Sequence, residues 1–465
     1  MRYLIVLVLL FSSCKQSNER MNFLLFKLIL LFSISMHSQT QWSLEDCINH
    51  AKANNIDILK LQLQNESFNE DITAAKGNYY PDLNFSGSQG FSLGNSFNVS
   101  TGVGQLESSF NSFSLSSSLN VFNGFTNKYN LQRAKLSSEK GLADLDQIYL
   151  DLALNIANKY LSVLFNKEIL TVAQEQVKIS EQEVKRLKRL YDAVLTSKSE
   201  FLQMESTFAS DMKELLVAQN NLSTSKIELK ELLDINDIED FDIEDIDLSY
   251  FESAVFSSNS ESIFNEALQT NPLLKSTELN SEINKKNIQI AKANFYPNLN
   301  LNYSYGSNYY HILGEDDLVF NQNTQRFEDN SFFIQLNNNR THYLGLSLTV
   351  PIFNKFATKA NFNKAKIDLE INKVELANQK KQLKNKIKIA YNNVSTAKAS
   401  LDAANSASYS QKEAFTINQS KYLEGLMTSF DFLESKSYYI KTESDFVQAK
   451  YDYLFKIKVL EYYQN

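Results

Sequence analysis

The decapeptide AKGNYYPDLN at Ala75–Asn84 returns 216 residues later as AKANFYPNLN at Ala291–Asn300. A repeat at this distance marks an internal duplication, so whatever one half folds into, the other must fold into as well. A second pair of segments, Leu115–Lys128 and Leu346–Lys359, matches at an offset of 231. The second copy therefore carries about 15 extra residues between its two matching segments.

The residues around each match alternate. Leu83 and Phe85 are interleaved with Asp82, Asn84 and Ser86, and Leu299, Leu301, Tyr303 and Tyr305 with Asn298, Asn300, Asn302 and Ser304. Before Phe122, the apolar residues Phe113, Leu115, Leu119 and Val121 alternate with Ser114, Ser116, Ser118 and Asn120. Before Phe353, Leu344, Leu346, Leu348 and Val350 alternate with Tyr343, Gly345, Ser347 and Thr349. Period-two alternation makes a strand with two unlike faces. Each copy thus holds one β-hairpin, about 82–122 and about 298–353. The tips, about 90–108 and 308–340, are rich in Ser, Asn, Gly and Phe and are expected to be loops without a packed core.

The rest reads as helix. Residues 123–271 and 352–465 contain no proline, the strongest helix breaker. In the second copy Leu383, Ile387, Ala390, Val394, Ala397, Leu401, Ala404 and Ser408 follow one another at spacings of four and three, the rhythm of helices packed side by side. The first copy has Leu152, Ile156, Val163, Leu170, Ala173 and Val177, interrupted by Lys159 and Asn166. A single helix over 356–422 would be roughly 100 Å long. A coiled-coil spacer could use such a helix, but it would not need the hairpins.

The N-terminus offers two export-like segments. One runs from Tyr3 to Cys14 and resembles a lipoprotein cleavage site; the other begins at Met21 and ends near Ser38. Each is short for a spanning helix, and we expect Met21 to be the working start and 1–38 to be a signal segment. Cys47 is then the sole cysteine of the mature chain and can form no intrachain disulfide. A first repeat over 39–260 would end in an acidic connector, 234–260, and a second repeat would occupy 261–465.

No catalytic residue and no metal or cofactor site emerges. The four histidines have no ligand spacing, and phosphate loops, Cys-x-x-Cys and G-x-S-x-G are absent. The run Asp234–Asp247 alternates acids with isoleucine and lacks the glycine turn of a calcium loop, so it reads as a solvated connector. The net charge of −8 carries no basic stripe for nucleic acid. The 32 Phe and 23 Tyr suit a membrane interface, because many fall in the hairpins.

Geometry narrows the function. Four two-faced strands cannot close a barrel alone, and open sheet edges do not persist in lipid. A barrel shared among copies, standing on helices roughly 100 Å long, is a tube from the outer membrane into the periplasm. The rival is a non-channel periplasmic or surface coiled-coil interaction protein, such as an adaptor; compact β domains would be expected there instead of two isolated hairpins.

Three sets of residues resemble the TolC-like outer-membrane efflux protein family and together cover nearly all of the mature chain. They are the opening Trp42–Asn55 with its counterpart Ser262–Pro272, the Ala-Lys-x-x-Tyr/Phe-Tyr-Pro-x-Leu segment of each hairpin, and Tyr422-x-x-Gly425-x-x-Thr428-x-x-Asp431. The first copy of the last is Tyr191-x-x-Val194-x-x-Ser197-x-x-Glu200, with Val194 in place of the usual glycine. The resemblance implies a mainly α fold with β: a homotrimer whose four strands per chain make a 12-stranded outer-membrane β-barrel, continuous with an α-helical periplasmic barrel in a Gram-negative cell. It implies no enzyme and no cofactor, but a passive exit duct in tripartite efflux or type I secretion. Its partners would be a periplasmic adaptor (membrane fusion) protein and an inner-membrane RND, ABC or MFS-type pump, and its surroundings outer-membrane lipid. It further implies that Asp431 and Glu434 narrow the periplasmic entrance. Tyr422 would donate to Glu200 to hold it closed, and Met427 would stand where the family can place a basic residue.

Overall fold

The computed structural model describes residues 41–98, 102–235, 241–246 and 259–464. The export-like segments and the proposed cleavage near Ser38 lie outside them. Each copy begins with a helix pair: α1 (Leu44–Asn54) and α2 (Ile56–Gly77) in the first, α5 (Ser260–Thr270) and α6 (Pro272–Ala293) in the second. A strand follows, β1 (Asn84–Asn98) or β3 (Asn298–Ile312). The return strands are β2 (Gly102–Asn123) and β6 (Thr341–Thr349). Long helical hairpins complete each copy: α3 (Thr126–Asp192) with α4 (Lys198–Leu233), and α8 (Ala357–Leu423) with α9 (Ser429–Tyr462). Both α3 and α8 have 67 residues, so each is roughly 100 Å long, as the absence of proline predicts.

The four long strands form one antiparallel sheet in the order β1-β2-β3-β6. Its register carries the sequence alternation straight across. Leu119, Leu301 and Leu346 lie in one row, Phe122, Leu299 and Leu348 in the next, and Phe85, Leu115 and Tyr305 in another. The opposite face has rows such as Asn120, Asn300 and Ser347, where the Asn120 amide donates to the side-chain oxygens of Asn298 and Asn300 at 2.8 and 2.9 Å. A bulge between Asn120 and Phe122 keeps the apolar residues of β2 on the apolar face. Leu83, Phe85, Leu344, Leu346 and Leu348 are exposed, so one chain leaves this apolar face uncovered.

Below the sheet the helices continue the strands. α2 packs on α3, α3 on α6 and α6 on α8, the same order as the strands they adjoin. Further down the order becomes α4, α3, α9, α8. The seam read from the sequence is buried at Leu383, Ile387, Ala390, Val394, Ala397 and Ser408. The gap left by Lys159 in the first copy is filled by buried Tyr160, while Lys159 pairs with Glu228 at 2.8 Å. The duplication extends into the core: Cys47, Ala51 and Ile58 are fully buried, as are Ile263, Ala267 and Leu274 at the offset of 216. Cys47 acts as a small apolar residue, and burial pushes its thiol up to about 12.

Three local expectations are corrected. The first hairpin tip is strand up to Asn98 and again from Gly102, so most of 90–108 is sheet. The second tip, expected to be loop, contains the small hairpin β4 (Leu318–Asn321)–β5 (Arg326–Asp329) and helix α7 (Phe332–Asn338), although it buries no apolar residue. Tyr309, Phe332 and Phe333 stack edge to face there, and Asp317 accepts from Tyr309 at 2.7 Å. The described part of the acidic connector is not simply solvated. Ile235, Phe241 and Ile243 are buried beside α1, α3 and α4, and Ile243 pairs with Trp42 in a parallel bridge. Over 241–246 the alternation makes a two-faced extended segment, with Phe241 and Ile243 on its inward side.

Candidate functional site at the helical tips

The two helical hairpins turn at matching residues, offset by 231. In the first, the Leu195 N–H donates to the Leu190 carbonyl and the Val194 N–H to Tyr191; in the second, Leu426 donates to Lys421 and Gly425 to Tyr422. This is the same helix-ending motif twice, and it requires a left-handed residue at its centre. Gly425 supplies it at φ 77°, and Val194 adopts it at φ 62°. The return helices are then capped alike. Ser197 Oγ accepts from the Glu200 N–H at 3.2 Å, and Thr428 Oγ1 from the Asp431 N–H at 3.2 Å.

The capped acids differ in what their carboxylates do. Asp431 accepts from its own cap, Thr428 Oγ1, at 2.7 Å and remains exposed, as does Glu434 one turn on. Glu200, the repeat equivalent of Asp431, reaches the other hairpin instead: it accepts hydrogen bonds from Ser429 and from Thr196. The hydrogen bond from Ser429, then that from Thr196, holds its carboxyl below the usual glutamate range. Tyr422 is buried, and its hydroxyl lies 3.2 Å from Ser429 Oγ. The Tyr422–Glu200 link expected from the sequence is thus a relay through Ser429, because the ring of Tyr422 stacks on Phe432 at 4.3 Å and directs the hydroxyl there.

A cation also sits at this contact. The Arg186 guanidinium lies over the Tyr422 ring at 4.2 Å, and its Nε donates to buried Glu183 at 2.8 Å. Met427, the position read as lacking a basic residue, packs half-buried into the apolar cluster of Ile179, Leu187, Met204, Phe415, Tyr422 and Phe432. The charge arrives from α3 instead. Tyr191 stacks on Phe201 at 5.8 Å and closes the first hairpin.

Above this contact, Lys436 of α9 pairs with Asp211 of α4, both buried. The Gln176 amide of α3 donates to the other Asp211 oxygen at 2.6 Å. Burial pulls the Lys436 ammonium below its ordinary value despite the carboxylate beside it. Sequence reading missed Ser429, Arg186, Asp211 and Lys436. A charged residue in a long polar helix resembles every other until its partner, here 225 residues away, is known.

Among the described residues no cluster of His, Cys, Asp and Glu could hold a metal ion, and no helix is long and apolar enough to cross a membrane. What the arrangement provides is a hydrogen-bonded contact between two hairpin tips, beside two exposed acids.

Comparison with known proteins agrees with this architecture. The family described as "Outer membrane efflux protein" matches residues 47–234 and 263–457, one match to each copy. Outer membrane protein TolC of Vibrio cholerae serotype O1 is 21% identical over 438 residues, covering 93% of either chain. Among solved structures, CusC superposes with a TM-score of 0.76 at 15% identity, covering 93% of this chain and 96% of that one. The Campylobacter jejuni CmeC outer membrane channel gives 0.71 at 17% identity, covering 90% and 85%. The structural likenesses establish the fold. Family membership sets aside the non-channel coiled-coil alternative, and proteins of this family form trimeric channels that are not enzymes. The chain belongs to the outer membrane efflux protein family, as an outer-membrane channel of the TolC type that extends into the periplasm.

Proposed function

We propose that this channel is the passive exit duct of a tripartite efflux or type I secretion assembly, completed by a periplasmic adaptor and an inner-membrane RND, ABC or MFS-type pump. One observation carries the reading. The sheet and the helical wall beneath it are open at both lateral edges, and the edges coincide: β1 above α2, and β6 above α8. Each helical edge bears an uncovered apolar stripe at heptad spacing, Ile56, Leu59 and Leu63 on α2, and Ile367, Ile371 and Val374 on α8. Joining β6 and α8 of one copy to β1 and α2 of the next satisfies the backbone of both strands and buries both stripes. Three copies give a closed wall of 12 strands, apolar outside and lined with Ser and Asn inside. No reacting group is needed for transport through such a wall.

In this reading the hairpin tips bearing Val194 and Gly425 point to the periplasm and the β3–β6 loop to the outside. Asp431 and Glu434, exposed and one turn apart, form two stacked rings of three carboxylates at the entrance. Such rings favour cations and bind multivalent ones. Planar-bilayer recording tests this: Asp431→Asn with Glu434→Gln should lower cation preference and relieve block by a trivalent cation. Unchanged selectivity and block would place the constriction elsewhere. Loss of export on deletion of the gene, restored by the intact chain, tests the wider assignment.

A further inference from the structure

Helix α7 is built inside out. Its buried residue is the polar Gln335, while Phe333 is 80% exposed and Ile334 is exposed beside it. The burial of Gln335 has a clear cause. β6 pairs with β3 only as far as Thr341 opposite Gly306, so β3 continues from Ser307 to Ile312 with no strand on that side. The Gln335 side chain supplies the missing partner: its oxygen accepts from the Tyr310 N–H at 3.1 Å and its amide donates to the Tyr310 carbonyl at 3.0 Å. The Asn339 amide donates to the Asn308 carbonyl at 2.7 Å. A side-chain amide thus covers the free edge.

A single exposed apolar residue is ordinary on a protein surface, so what matters for Phe333 is where it lies. Ser307 Oγ donates to the Leu336 carbonyl at 2.6 Å, and the Tyr309 ring packs on Phe332 at 4.9 Å. Ser307 and Tyr309 share a face of β3 with Leu299, Leu301, Tyr303 and Tyr305, since side chains alternate along a strand. Helix α7 therefore overhangs the apolar face of the sheet at its outer rim, continuous with the surface assigned above to lipid. Arg340, exposed just beyond the helix, provides a cation at the same level. Apolar residues outward with an adjacent cation describe the headgroup–acyl boundary of a bilayer.

We propose that α7 is an outer-leaflet anchor, with Phe333 and Ile334 inserted at that boundary and Arg340 beside the headgroups. The proposal rests on the apolar face of the sheet being the lipid-facing wall. The test is spin labelling of the trimer in lipid vesicles. Cys47 is fully buried, so in a Cys14→Ser background a nitroxide attaches selectively to Phe333→Cys, Asn323→Cys at the β4–β5 turn, or Leu346→Cys on the apolar face. Access of molecular oxygen, which concentrates in lipid, is compared with that of a water-soluble nickel chelate. The label at 333 should favour oxygen, as at 346, while the label at 323 favours nickel. Nickel access at 333 equal to that at 323 overturns the anchor. Shielding of 333 from both agents also overturns it, and assigns Phe333 to a contact with the neighbouring copy. Nickel access at 346 would instead overturn the underlying assignment of faces.

Discussion

Val194 and Gly425 hold the same left-handed backbone conformation at matching turns of the two hairpins, although only one of them is suited to it. A β-branched residue there crowds its Cβ against the backbone, a cost of about 1–2 kcal/mol. Val194 gains nothing in exchange from packing, being 89% exposed.

Val194→Gly should therefore stabilise the first tip by about 0.5–1 kcal/mol, the relief of strain less the entropy of glycine. Gly425→Val should destabilise the second by about 1–2 kcal/mol. Hydrogen exchange of the amides flanking each turn measures both. Equal protection in all three proteins would mean that the turns relax without cost.

The relay predicts an order of effects on channel opening. Ser429→Ala removes the hydroxyl that joins Glu200 to Tyr422, whereas Tyr422→Phe leaves the bond from Ser429 to Glu200 in place. Both should raise the open probability in a planar bilayer, Ser429→Ala the more. The sign of the pH effect follows from Glu200. Its carboxyl is depressed where the two tips are joined, so the contact is complete above the ordinary glutamate range and is lost as pH falls through the depressed value. Opening should be flat from neutrality through the ordinary glutamate range and rise only below it. A Glu200→Gln channel should lose that acid limb.

Lys436 and Asp211 illustrate the difference between breaking a buried pair and replacing it. Lys436→Met leaves a buried carboxylate with only Gln176 as side-chain partner and should cost about 3–5 kcal/mol. Adding Asp211→Leu should recover most of that loss. Thermal unfolding followed by circular dichroism reads the cycle, and additive losses in the double variant would show that the two residues do not act as a pair.

The two faces of the sheet separate at adjacent residues of β6. Leu344 lies on the apolar face opposite Tyr303, midway along β3, and Arg there should cost about 2–4 kcal/mol per chain on insertion, whereas Arg at Tyr343 on the opposite face should be tolerated. Trimer yield in outer-membrane fractions is the measurement. Similar yields from the two variants would reverse or abolish the assignment.

Most of this architecture was legible because periodic signals act over many residues. Leu299 to Tyr305 alternates, Leu383 to Ala404 steps by four and three, and the duplication lets each copy check the other. What escaped depends on single side chains meeting across the fold. Ser429 is an ordinary serine after a helix cap until Glu200 of the other hairpin is brought to it. Arg186 and Met427 could not be connected, since no pattern says that a charge absent from one turn is supplied from the neighbouring hairpin. The second hairpin tip escaped for another reason. Its order depends on Gln335 mimicking a strand, and a glutamine carries no signature of that use.

The equal length of α3 and α8 has a consequence for how such a chain can change. Every residue inserted into a helix rotates all that follows by about 100° and advances it 1.5 Å. A single insertion in one copy would turn Tyr422, or its counterpart Tyr191, out of phase with the opposing hairpin, and the error would persist undiminished to the tip. The roughly 15 residues by which the copies differ in spacing lie between the first and second matching segments, where the strands and their loop impose no such phase. The long helices thus act as a pair of matched rulers. Sequence along them can drift freely, but length can change only in both at once, or by whole turns.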